Sequence, residues 1–449
     1  MNNNDALFKE LCNLSKEVYS IDPELYNKYS VKRGLRNSNG SGVLVGLTKV
    51  GDVHGYVLDE GEKVADEGIL RYRGINVNKI VAGCEADERF GFEEVVYLLL
   101  FGKLPTKERL DQFTEYLGHM RKLPANFTED MILKAPSTDL MNKLARSVLA
   151  LYSYDNNRDD TSVENVLRQS FELIARFPCM IAHAYHAKSH YFDGNSLVLH
   201  VPRENMSTAE NFLYLMRQNN EFTQAEAHLL DIALILHAEH GGGNNSTFTT
   251  HVLSSTGTDT YSTIAAAVGS LKGPKHGGAN AKVMGMIDYI KANVTDITDE
   301  AQIREQIIKI YKKQGYDNSG LVYGIGHAIY TKSDPRATLL RENAGIVAKE
   351  KGMEDELYMY DLIAKNAKEL FTEITGKQKD LAINVDFYSG FVYKMLNIPP
   401  EVYTPIFALS RISGWCAHRL EEIMVSDRII RPAYKNVFGR EDYIDLNNR

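Results

Sequence analysis

The chain has 449 residues, 44% of them hydrophobic and 24% charged, with a formal net charge of −8. These proportions exclude long disorder and fibrous repeats, and the acidic balance offers no basic field for nucleic acid, so an anionic substrate needs cations gathered in one place. A single core stops growing well short of this length, which predicts two lobes, and four scattered cysteines (Cys12, Cys84, Cys179, Cys416) without a C-x-x-C pair fit a reducing, cytoplasmic setting.

The opening residues mix Asp5, Glu10 and Glu17 with Lys9 and Lys16, a pattern that predicts neither an export signal nor a transit segment. Residues 42–74 read as strand, with apolar runs at Val43 to Val45 and Tyr56 to Leu58 and turn points at Gly51, Gly55 and Gly61. From about Phe92 the periodicity turns helical. The longest apolar run, Val95 to Phe101, falls short of the ~20 residues a membrane-spanning helix needs. Ser207 with Glu210 and Thr223 with Glu226 have capping-box spacing and predict two consecutive helices. The second, through LLDIALIL, is apolar on nearly every side, so it is expected to be central and to stop at Gly241 to Gly243. Asp334-Pro335 and Thr404-Pro405 each place a cap before a proline and predict two further helix starts. Between about 280 and 380 the pattern is that of several short helices separated by glycine turns.

Four stretches carry candidate chemistry. In LILHAEHGGGN, His237 and His240 stand about one turn apart at a helix C-terminus, where they can complement the helix dipole or, with Glu239, His251 or His276, offer metal ligands. In SLKGPKHGGANAKV, His276 is held between glycines just before a helix, whose positive end favours a neutral imidazole able to donate to an enolate oxygen. GLVYGIGHAIYTKSDPRA sets His327 near Arg336, whose planar fork matches a carboxylate. INVDFYSGFVYKML surrounds Asp386 with apolar residues that raise a carboxyl pKa; as a general base it is useful, and as a helix cap it is ordinary. Arg411, inside an apolar helix, and Arg431, before Pro432, need an anion if buried.

Together, HAEHGGGNNSTFT, GPKHGGAN, GIGHAIYTKSDPRA, NVDFYSGFVYKML and FALSRISGWCAHRLEE occur in the order and near the separations of the citrate synthase family, which the chain resembles from about residue 66 to RIIRPAY. The resemblance implies a mainly α, two-lobed fold with a small N-terminal β element. It implies a large domain from 1–276 and 386–449 and a mobile small domain, 277–385, on the CoA side. It implies Asp386 as base toward acetyl-CoA, His276 as donor to the thioester oxygen and His327 as partner of the oxaloacetate ketone. His240, Arg336, Arg411 and Arg431 would hold the dicarboxylate, Arg431 from the partner subunit of a homodimer, and Leu321, Val322, Tyr323, Gly324, Ile325 and Gly326 would line the CoA site. His237 and Arg73 are weaker candidates. No cofactor and no metal is implied, since acetyl-CoA is a substrate. Ile325, Ala328 and Thr331 depart from residues common in the family. Propionyl-CoA as substrate (a 2-methylcitrate synthase), a metal-dependent hydrolase built on His237 and His240, and a helical binding scaffold are the other readings.

Overall fold

The computed structural model describes residues 3–377 and 380–449; Met1 and Asn2 of the opening segment, and Gln378 and Lys379 of the expected small domain, lie outside them. Helices α1 (Asn3–Val18) and α2 (Pro23–Lys28) precede strands β1 (Gly51–Asp59), β2 (Glu62–Tyr72) and β3 (Ile75–Asn76). Then follow α3 (Val77–Ala86), α4 (Phe92–Phe101), α5 (Lys107–His119), α6 (Leu140–Leu151), α7 (Val163–Asp193), α8 (Thr208–Met216), α9 (Gln224–His237), α10 (Asn245–Ser254) and α11 (Thr260–Lys272). The remainder comprises α12 (Ala279–Ala292), α13 (Glu300–Tyr311), α14 (Pro335–Glu350), α15 (Glu354–Thr375), α16 (Val385–Met395) and α17 (Tyr403–Val425). No helix among the described residues is long and apolar enough to cross a membrane.

The sheet is an antiparallel β1-β2-β3 meander with an irregularity between His54 and Tyr56. The strand expected at Val43 to Val45 does not form. That segment makes only the Val43 amide bond to the Leu35 carbonyl at 2.9 Å beside an isolated Arg36–Gly42 bridge, and Leu44 within it and Leu47 beyond it are almost fully exposed.

Both capping boxes are made, Ser207 with Glu210 and Thr223 with Glu226. Helix α9, apolar on all sides, is buried from Leu229 to His237 as expected and packs against α4, α8, α14, α16 and α17. Tyr72 ties the sheet to it by donating to the Ile235 carbonyl at 2.8 Å. Asp334 caps α14 through the Arg336 amide. Two expected caps are not made. A 3₁₀ turn, Pro400–Val402, runs straight into α17 at Tyr403, so Thr404 already lies inside the helix and its hydroxyl donates to the Gly277 carbonyl at 3.2 Å. Asn384, not Asp386, caps α16, accepting from the Asp386 amide at 3.0 Å. That frees the Asp386 carboxylate, in the first turn, for other work.

Candidate active site

The site forms where α9, α17, the turn before α12, the loop before α14 and the start of α16 converge. His276 sits in the 273–278 turn, its amide bonded to the Gly273 carbonyl at 2.9 Å. Gly277 and Gly278 let that turn close: a Cβ on Gly277 would lie 2.7 Å from the Leu271 carbonyl oxygen. His276 Nε2 meets Ser246 Oγ at 3.1 Å. The same oxygen accepts from Trp415 Nε1 at 3.1 Å and lies 2.9 Å from Asn244 Oδ1. Burial, then Arg411, push the His276 imidazole down to about 4, so it is neutral at physiological pH.

His327 is neutral too, held at about 4 by burial and then Arg336. Its Nδ1 accepts the backbone amides of Ile329 and Tyr330, both at 3.1 Å. A nitrogen that accepts two N–H groups cannot carry the proton, so Nε2 is the donor of the neutral ring. The loop bearing it is stitched to the distant hairpin: Thr331 Oγ1 donates to the Gly55 carbonyl at 2.5 Å and accepts the Asp66 amide at 3.1 Å, and Ser333 Oγ accepts the Gly68 amide at 3.1 Å and donates to Glu67.

Among the described residues no side chain donates to the Asp386 carboxylate. Burial raises its pKa from 3.8 to about 6; Arg336 and Arg411 offset part of that rise and Asp334 adds to it. Asn280, on the helix that follows His276, anchors the start of α16 by donating to the Asp386 carbonyl at 3.3 Å and to Ser389 Oγ at 2.7 Å.

Two buried arginines supply the positive charge. Arg336 makes a bidentate pair with Asp334, Nε to Oδ1 at 3.0 Å and Nη2 to Oδ2 at 2.7 Å, and its guanidinium is held above the usual range despite burial. Arg411 is fully buried, spends Nε on the His237 carbonyl at 2.6 Å and lies 4.7 Å from the Phe407 ring centre. Among the described residues, its Nη1 and Nη2 have no hydrogen-bond partner. Burial, relieved in part by Glu239, lowers it to about 10. His240, its ring 5.3 Å from that of His327 and 5.5 Å from Tyr330, also has Nε2 unpartnered. A buried cation with two free donors beside a free imidazole nitrogen is an anion receptor.

His237 and His240 do not share a face. His237 ends α9 against Phe407, ring centres 4.6 Å apart, whereas His240 lies beyond the helix end and turns toward His327. Among the described residues, the cluster of three potential metal ligands is made by His251, His418 and Glu421, without this pair. Arg73 is spent on the Leu99 carbonyl, through Nε at 3.0 Å and Nη2 at 2.7 Å, at the end of α4. Arg431 is exposed on the segment after α17, and no side chain of the described residues pairs with it.

The Leu321 to Gly326 loop runs beside the start of α16. Ile325 forms a bridge with Ile383, Gly326 donates to the Ala382 carbonyl at 2.7 Å, and the Asn384 amide donates to the Gly324 carbonyl at 2.9 Å. Val322 is buried, Leu321 exposed, and Tyr323 donates to Asp317 at 2.7 Å. The sequence does not single out Ser246, Trp415 or Asp334 as site residues, and it offers Glu239 only as a possible metal ligand. Ser246 lies inside the recognised HAEHGGGNNSTFT motif, and Asp334 was visible only as a cap.

A raised carboxyl, two neutral imidazoles and a buried guanidinium are equipment for removing a proton beside a carbonyl and adding the resulting enol to an anionic acceptor. Fold and site thus define an enzyme of the acyl-transferring, carbon–carbon condensing class. The family model described as "Citrate synthase, C-terminal domain" matches residues 39–433. A citrate synthase from Deinococcus radiodurans is 37% identical over 85% of this chain and 93% of its own, and a 2-methylcitrate synthase from Shewanella oneidensis is 31% identical over 85% and 90%. The crystal structure of citrate synthase from Pyrobaculum aerophilum superposes with a TM-score of 0.72 at 30% identity, covering 91% of this chain and 94% of that one. A ternary complex of the Thermoplasma acidophilum citrate synthase with carboxymethyl coenzyme A and oxaloacetate gives 0.75 at 26% identity over 93% and 99%. The chain belongs to the citrate synthase family.

Proposed function

We propose that the chain condenses acetyl-CoA with oxaloacetate and water to give citrate and CoA, as a cytoplasmic homodimer with shared active sites and without a cofactor. Asp386 takes a proton from the acetyl methyl group while His276 donates to the thioester oxygen, so neither a free carbanion nor a full oxyanion builds up. The enol attacks the ketone carbon of oxaloacetate, and His327, whose donor is Nε2, protonates the ketone oxygen. Citryl-CoA then loses CoA by hydrolysis. His240, Arg336 and Arg411 hold the dicarboxylate. The 277–385 lobe, with Leu321 to Gly326 against CoA, closes on the rest and keeps water out until the new bond exists.

The observation that carries this reading is the pair of free, buried nitrogens of Arg411 among groups whose proton affinities are set for the work: Asp386 raised to about 6, His276 and His327 lowered to about 4. Support for a second copy comes from exposed apolar residues at both ends, Leu44, Leu47, Tyr434 and Tyr443, and from the exposed Arg431, which a neighbouring site would employ.

The test is thiol release from acetyl-CoA and from propionyl-CoA, with and without oxaloacetate, in EDTA. Release is expected only with oxaloacetate, and faster with acetyl-CoA. His276→Ala and His327→Ala are expected to lose about 10²- to 10⁴-fold in kcat with unchanged circular dichroism; parental rates in both would refute the roles. Mixing inactive Arg431→Ala and Asp386→Ala protomers should restore part of the activity, and verified mixed dimers without recovery would refute the shared site. Faster turnover of propionyl-CoA would assign the chain to the 2-methylcitrate branch.

A further inference from the structure

We propose that His251, His418 and Glu421 form a binding site for one divalent transition-metal cation of the zinc type, apart from the reacting groups, where α10 and α17 meet the turn that carries His240. The outer nitrogen of each imidazole lies on a carboxylate: His251 Nδ1 is 2.6 Å from Glu422 Oε2, and His418 Nε2 is 2.9 Å from Glu239 Oε1. A carboxylate only accepts, so each outer nitrogen carries its ring's proton. The inner nitrogens, His251 Nε2 and His418 Nδ1, then turn their lone pairs on each other across 3.1 Å. Only a cation between them removes that repulsion.

A proton or a metal ion can fill the role, and the third side chain favours the metal. A proton shared by the two nitrogens would leave Glu421 Oε2 beyond hydrogen-bond reach at 3.8 Å. Glu421 Oε1 accepts the Lys49 amide at 2.7 Å, but its Oε2, 3.8 Å from His418 Nδ1, is buried and has no hydrogen-bond partner among the described residues. The three ligand atoms all lie within 4.8 Å of one another. Zinc with bonds near 2.0 to 2.1 Å separates tetrahedral ligands by about 3.4 Å, so the two nitrogens need to open slightly and Glu421 to move in. Glu422 and Glu239 stand behind the two histidines as the carboxylates that fix tautomer and ring orientation in metal sites. Gly242 keeps the flank open: a Cβ there would lie 3.6 Å from His251 Nε2 and from His418 Cε1. Because Glu239 immediately precedes His240, an ion held here braces the anion-binding turn against α17.

The full-length enzyme, stripped with chelator, reloaded with Zn²⁺ and freed of excess by gel filtration, is expected to retain one zinc per chain, raising its thermal midpoint while oxaloacetate-dependent thiol release persists without it. Co²⁺ in its place should show the visible spectrum of a nitrogen-ligated ion. His251→Ala and the isosteric Glu421→Gln should each weaken retention at least tenfold, and Glu422→Gln by about 10- to 100-fold. No retained zinc in the parent, or equal retention in His251→Ala and Glu421→Gln, would overturn the proposal. Should His251→Ala not fold, Glu421→Gln decides alone.

Discussion

Replacing Asp386 with asparagine should make the chain more stable while removing its activity. In the fold the carboxyl pKa rises from 3.8 to about 6, through burial, with Arg336 and Arg411 offsetting part of the effect. A displacement of that size corresponds to about 3 kcal/mol. The side chain keeps some contact with solvent, which screens the interaction and brings the expectation to about 1 to 3 kcal/mol. An acid whose pKa is raised by folding binds its proton more readily in the native state. The cost of holding the charge is therefore complete above about pH 6 and fades as pH falls toward the unfolded value. Asparagine has nearly the same shape and no charge to desolvate. Urea unfolding of parent and variant at about pH 7.5 and about pH 4 should show a higher midpoint for the variant at the first and a near match at the second, with thiol release abolished throughout. Equal midpoints at neutral pH, or a gain that grows on acidification, would refute the assignment of a strained, buried base.

The same carboxyl sets an acid limb. With a pKa of about 6, its ionised fraction falls from about nine-tenths at pH 7 to about one-tenth at pH 5, so kcat/KM should drop about tenfold across that interval. His276 and His327, at about 4, stay neutral throughout it; a limb near pH 4 would point to a different base. Arg411→Leu removes two charged donors that have no hydrogen-bond partner among the described residues. We expect oxaloacetate affinity, measured by calorimetry, to fall about 10- to 100-fold, the equivalent of about 1.5 to 3 kcal/mol, with the fold retained although the His237 carbonyl loses its Nε partner. In Gly324→Ala the residue keeps φ +82° and its new Cβ would lie 2.7 Å from Phe387 Cδ2. The variant should lose about 1 to 3 kcal/mol of stability and show a higher KM for acetyl-CoA, and an unchanged KM would remove this loop from the CoA site.

Helix starts were legible wherever the signal is local. Ser207, Thr223 and Asp334 each need only an amide two or three residues away, and each finds it. Where a neighbour in the chain competes, the local rule failed: Thr404 lost its cap to the turn that begins at Pro400, and Asp386 lost its cap to Asn384. Candidate chemistry was visible in the glycine-flanked His276 and His327 and in Arg411 amid apolar residues. What the sequence does not carry is the pairing between distant segments. Nothing near Ser246 announces contact with His276 and Trp415, and nothing near His237 says that its ring will leave His240 for Phe407. Thr331 illustrates the limit well. By comparison with relatives it was only a departure; in three dimensions it is the hydroxyl that fastens the His327 loop to the hairpin.

That fastening spans 265 residues of chain. Gly55 and Gly68 accept the loop so closely that added Cβ atoms would fall 2.7 Å from Tyr330 Cα and 2.1 Å from the Ser333 carbonyl oxygen. During synthesis the hairpin emerges early and waits, its docking groove unfilled, until the segment around Ser333 leaves the ribosome. A lesion in β1 or β2 would thus surface as slow maturation of catalysis long after the strands themselves had formed.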